Sequence, residues 1–197
     1  MNWLAHLRLA PSDPLLRIGN LCGDFVAGVD LATLPGPLQR GIAQHRAIDR
    51  FVDAHAVTAR SRQRLGPSFR RFAGVLVDVF YDHFLARDWG SLGDGRSLDA
   101  FAAATYELLD AHEAVLPARL RAAMPAMRAE NWLLSYARLD GIDTVLARMA
   151  ARLRRPSPLG QGGTALRAAY APLAADFAEL WPELVLHARH VEVGGPS

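Results

Sequence analysis

Lysine is missing from this sequence; all 22 of its basic residues are arginine. Genomic base composition is the plainer reading of such a bias, and an anion-binding face the functional one. The chemical consequence is a surface armed with planar guanidinium forks, which suit phosphates and carboxylates. Cysteine is nearly absent too. Cys22 stands alone, which excludes an internal disulfide and a thiolate zinc site. No apolar run approaches the roughly 18 residues that a membrane-spanning helix needs. The start, MNWLAHLRLAPSDP, meets Pro and Asp too early for a signal-peptide apolar region. Charge excess is small, +2 from 22 basic and 20 acidic residues, which argues against a dedicated nucleic-acid binder. A soluble cytoplasmic protein is the expectation.

What is present is apolar substance: 51% of 197 residues are hydrophobic. That excludes disorder over most of the length and suffices for a substantial core in one domain. Strand signals are scarce, with no alternating runs around an Asn-Gly or Asp-Gly turn. The chain reads as all-α, a single-domain helical bundle over residues 1–190 with a disordered tail over 191–197. Helical segments are expected at 38–65, 68–89, 98–116, 117–139 with a kink at Pro125, 142–154 capped by Asp140, and 164–190 interrupted at Pro172 and Pro182. Ser97 is the expected N-cap of the 98–116 segment, with Asp99 in its first turn. The run from Gly74 to Phe80 would also suit a buried strand, but the apolar pattern continues well past strand length.

Chemistry concentrates in the first half. His45 and Asp49 lie four residues apart, so on a helix they share one face. Asp78 and Asp82 repeat that spacing on a face shared with Val75 and Leu85, which puts two carboxylates about 6 Å apart on an expected core stripe. Uncompensated, they would repel and raise each other's pKa. A divalent cation resolves the conflict; so would Arg46 or Arg71. Asp24 follows Gly-Asn in an apolar context. Each of these residues alone reads as a cap or a surface charge; together they read as a metal site of imidazole and carboxylate. Such donors suit Mn²⁺, Mg²⁺ or Fe²⁺ better than structural zinc. The Glu-x-x-His pairs of di-iron helical bundles are missing, which moves the chemistry toward metal-assisted hydrolysis. His6 reads as a core histidine or as a member of the site. Asn20 reads as a cap or turn residue with a possible second role at the site. Tyr81, Phe84 and Trp132 read as core aromatics.

Four blocks in order, MNWLAHLRLA, GNLCGDFVAG, GIAQHRAIDRFVD and DVFYDHFLARDW, resemble the acyl carrier protein phosphodiesterase family, also called holo-acyl-carrier-protein hydrolases. NWLLSYARLDGIDTVLARMAARLRR resembles the family's later helices. Trp3 stands where the family pattern has Phe, and Cys22-Gly23 where it has larger apolar residues or Ala. The resemblance implies an all-helical fold related to HD-type metal-dependent phosphohydrolases, and Mn²⁺ as cofactor. It also implies removal of 4′-phosphopantetheine from holo-acyl carrier protein. On that footing Asp24, His45, Asp78 and Asp82 are the expected ligands, with Asp49 a fifth. His83 or His6 would donate the leaving-group proton, and Arg46 would hold the phosphate. An acidic carrier would dock on Arg60, Arg62, Arg64, Arg70 and Arg71, with Arg152, Arg154 and Arg155 as a second basic patch. A nucleotide-directed phosphohydrolase and a non-enzymatic arginine-rich binding module are the competing readings.

Overall fold

The computed structural model describes residues 1–193 and contains twelve α-helices and, among those residues, no strand. The tail expected over 191–197 is helical as far as Val193 and otherwise lies outside the described residues. Helix α1 (Trp3–Leu9) leads into α2 (Pro14–Cys22). Asp13 caps α2, its carboxylate accepting from the Leu16 N–H at 2.9 Å, and Pro14 occupies the first helical position. A 3₁₀ turn, Gly23–Phe25, follows.

The expected helix over 38–65 is two helices, α3 (Gly36–Ala54) and α4 (Ala56–Arg64). They divide at His55, whose extended backbone ends one, and whose ring accepts from the Val57 N–H at 3.2 Å to begin the next. Then come α5 (Ala73–Arg87), α6 (Trp89–Leu92) and α7 (Leu98–Ala111). Ser97 caps α7 through the Ala100 N–H, with Asp99 in the first turn, as expected. Helix α8 (Ala118–Ala129) carries Pro125 inside it, and Asn131 in the left-handed region separates it from α9 (Trp132–Ser135).

Arg138, not Asp140, is the residue before α10 (Leu139–Ala151). The carboxylate of Asp140 takes its own helix's Gly141 N–H and the Arg138 guanidinium. The last expected helix divides at Ala169, not at its prolines, into α11 (Gly162–Ala168) and α12 (Tyr170–Val193). Pro172 sits in the first turn of α12, where no intrahelical N–H is required, and Pro182 is accommodated inside the helix.

Helix α5 is the centre of the bundle. Leu76, Val77, Val79, Phe80, Tyr81, Phe84 and Leu85 are all fully buried there, so α5 is apolar nearly all round, as a helix covered on most sides must be. It packs on α1, α4, α10 and α12. Val75 departs from the expected core stripe: it is 43% exposed. Helices α2 and α3 meet almost backbone to backbone. A Cβ on Gly41 would lie 2.2 Å from the Leu16 carbonyl oxygen, and one on Gly19 would lie 2.3 Å from that of Leu38. That contact fixes Asn20 of α2 beside His45 of α3. No described helix is long and apolar enough to cross a membrane.

Candidate metal centre

Two helices deliver three groups to one point. His6 comes from α1; His45 and Asp49 come from successive turns of α3. One ligand atom from each falls within 4.8 Å of the other two. His6 Nε2 lies 3.1 Å from Asp49 Oδ1, and His45 Nε2 lies 3.0 Å from Asp49 Oδ2. The imidazoles stack with centroids 3.8 Å apart. Both histidines are buried, while Asp49 is 36% exposed at the rim.

A chain of hydrogen bonds sets which ring nitrogen carries the proton. The Ala188 carbonyl can only accept, so it takes Gln44 Nε2–H at 3.1 Å. Gln44 Oε1 then accepts from Asn20 Nδ2 at 2.7 Å, which leaves Asn20 Oδ1 to accept from His6 Nδ1 at 2.9 Å. The Asn20 backbone carbonyl accepts from His45 Nδ1 at 2.7 Å. Both Nδ1 atoms are therefore donors, and in the neutral rings both Nε2 lone pairs face the Asp49 carboxylate.

Lone pairs facing an anion need positive charge between them. Burial pushes the His6 pKa down and so opposes a proton on Nε2. Burial also works against the charge on Asp49, but the proton or positive charge that its contacts with His45 and His6 demand, together with the Met1 ammonium, holds its carboxyl well below the usual range. A divalent cation would satisfy both nitrogens and the carboxylate at once, and the donor set suits one. Gly23 is required by the same packing: a Cβ there would come within 2.1 Å of the His45 ring.

The other expected ligands have different surroundings. Asp24, 45% exposed, lies 3.7 Å from His45 Nε2 and accepts from Trp3 Nε1 at 2.8 Å. It stands at the rim, one short movement from the cluster. Asp78 accepts from the Met1 ammonium at 3.0 Å, the same ammonium that lies 3.3 Å from Asp49. Asp82 is fully buried and accepts from the Leu4 and Ala5 N–H groups at 2.7 and 3.2 Å, so its carboxylate caps the start of α1. Burial raises its pKa to about 7, against the pull of those N–H groups and the Met1 ammonium.

The proposed proton donors and phosphate holder are also otherwise placed. Both His6 nitrogens are engaged in the cluster. His83 has Nδ1 on the Tyr136 carbonyl and Nε2 on the Tyr170 hydroxyl, each at 2.8 Å. Arg46 is exposed and makes no ion pair among the described residues. Of the five-arginine patch, Arg60 and Arg64 hold buried Asp176, Arg60 also holds Glu179, and Arg62 holds Asp53. Arg70 and Arg71 are exposed and unpaired among the described residues. Tyr81, Phe84 and Trp132 are buried, as expected of core aromatics. Asn20 is neither cap nor turn; it lies inside α2 and polarises both histidines.

Fold and site together define an all-α protein with a buried imidazole–carboxylate cluster suited to a divalent cation. Sequence comparison narrows this further. The family model described as "Acyl carrier protein phosphodiesterase" matches residues 1–184, and the chain belongs to that family. It is 32% identical over 193 residues to the acyl carrier protein phosphodiesterase of Yersinia pestis, covering 98% of this chain and all of that one. It is 32% identical to that of Photorhabdus laumondii subsp. laumondii, covering 94% and 93% of the two chains. It is 33% identical to that of Escherichia coli O139:H28, covering 96% and 98%. No solved structure matches the chain. The HD-type kinship expected from the sequence therefore has no structural neighbour behind it.

Proposed function

We propose that this chain is a metal-dependent phosphodiester hydrolase that removes 4′-phosphopantetheine from holo-acyl carrier protein and leaves the apo form. The family membership and the relatives' names support the substrate. The observation that carries the metal dependence is the pair of Nε2 lone pairs turned onto Asp49 by the Ala188–Gln44–Asn20 relay. His6, His45 and Asp49 would hold the cation, with Asp24 completing the set from the rim. Mn²⁺ is the metal we assign, with Mg²⁺ and Fe²⁺ compatible with the same donors.

When bound, such a cation polarises a phosphoryl oxygen and eases deprotonation of water. The chain's own residues do the rest. Asn20 and Gln44 keep the imidazoles in the ligating tautomer. Trp3 holds Asp24 at the mouth. In the overall reaction the oxygen of water bonds to phosphorus, the bond from phosphorus to the serine oxygen breaks, and that oxygen leaves protonated. With His6 and His83 both engaged elsewhere, the leaving-group proton is assigned to solvent at the open rim.

Purified protein incubated with holo-acyl carrier protein and Mn²⁺ should convert it to the apo mass by intact mass spectrometry, and chelator should stop the conversion. An unchanged carrier mass with Mn²⁺, Mg²⁺ and Fe²⁺ alike would overturn the reading.

A further inference from the structure

We propose that the corner formed by Arg152, Leu153 and Arg154, beside Trp132, is the face on which the acidic carrier protein docks; the partner's identity rests on the function proposed above. The path from the cluster to this corner is continuous. Asp24, at the rim, accepts from the Trp3 indole at 2.8 Å. Trp3 stacks on Trp132, with centroids 5.4 Å apart and planes 16° apart. The Arg148 and Arg152 guanidiniums lie over the Trp132 ring, 5.8 and 6.0 Å from its centroid. Glu130 accepts from the Trp132 indole at 2.7 Å and pairs with Arg148, so the platform is clamped in place.

Beyond that clamp the charge is free. Arg152 and Arg154 are exposed and form no ion pair among the described residues. Between them Leu153 is 41% exposed, one of three large apolar side chains left open among the described residues. Unpaired cations around an open leucine, at the end of an aromatic walkway from the metal centre, suit an acidic protein surface that must bring one phosphodiester to the rim. The 60–71 arginines compete poorly for that partner, because Asp176, Glu179 and Asp53 already take three of the five.

The test separates docking from chemistry by using apo-acyl carrier protein, which keeps the acidic surface and has no bond to cleave. Its binding to the Mn²⁺-loaded protein is measured across ionic strength. Arg152→Glu with Arg154→Glu should weaken binding about tenfold or more and flatten its salt dependence. Leu153→Ala should weaken binding while leaving the salt slope intact. Retention of the wild-type melting midpoint shows that the variants are folded. The proposal is overturned if the double reversal binds like wild type, if the loss follows Arg70→Glu with Arg71→Glu instead, or if wild type binds no carrier. Hydrolysis of holo-carrier is read separately by mass, so binding without hydrolysis would sink the catalytic reading and leave the docking face standing.

Discussion

Asn20 is the residue on which most depends and the one the sequence advertises least. Its amide oxygen and its backbone carbonyl each fix one histidine tautomer. Replacing it with Ala leaves His6 Nδ1 and Gln44 Oε1 without partners in a fully buried place. Asn20→Ala should therefore cost about 1–3 kcal/mol in urea denaturation. It should also weaken Mn²⁺ binding about 10- to 100-fold. Asp82 makes the opposite case. Its spacing from Asp78 suggests a ligand, yet it caps α1. A folded-state pKa near 7, against 3.8 for the ordinary carboxyl, means that folding takes up a proton between those values. Stability from this group is thus full below about pH 4 and lost as pH rises through 7. Relative to wild type, Asp82→Asn should gain up to about 1.4 kcal/mol per pH unit across that window. Parallel pH–stability curves for the two proteins would refute this account of Asp82.

At the scale of elements, the α2–α3 contact sets the site. Gly41→Ala would drive a Cβ to 2.2 Å from a carbonyl oxygen and 2.7 Å from the Gly19 Cα, and neither is a side chain that can swing aside. Loss of about 1–3 kcal/mol is expected, with weaker Mn²⁺ binding as His45 leaves Asn20. Gly36→Ala, whose nearest neighbour is a flexible Arg40 nitrogen at 3.8 Å, should stay within about 0.5 kcal/mol of wild type.

The same elements mark how much was legible in advance. The i,i+4 pairing of His45 and Asp49 needs only helical geometry, and it is realised. The all-round apolarity of α5 likewise foretold its burial. His6 could be narrowed only to core or site, because its partners are 14 and 43 residues away. Asp78 and Asp82 share one helix, but what each carboxylate meets is decided by the Met1 ammonium and by α1, long-range contacts that no local spacing encodes. Helix ends are the least legible feature: prolines at 125, 172 and 182 lie within helices, while His55, which caps α4 through its ring, and Ala169 divide them.

For the whole molecule, the proposed cation binding would be coupled to folding. The cluster assembles residues from α1 and α3, and the unfolded chain presents no such arrangement. At a free Mn²⁺ concentration about 100-fold above its dissociation constant, the folded state should gain about 2.7 kcal/mol. For a chain of this size that is a rise of about 5–10 °C in melting midpoint over the chelated protein. A scan in which metal and chelator give superimposed curves would argue against a metal centre coupled to folding.

Whether His6, His45 and Asp49 together bind a divalent cation is tested most directly by titrating Mn²⁺ while following its free-ion electron paramagnetic resonance signal. Wild type should suppress that signal with a defined stoichiometry, while His6→Ala, His45→Ala and Asp49→Asn, each checked for helicity, should leave it close to that of buffer. A wild-type protein that leaves the free Mn²⁺ signal untouched, or an Asp49→Asn variant that suppresses it as wild type does, would contradict the account.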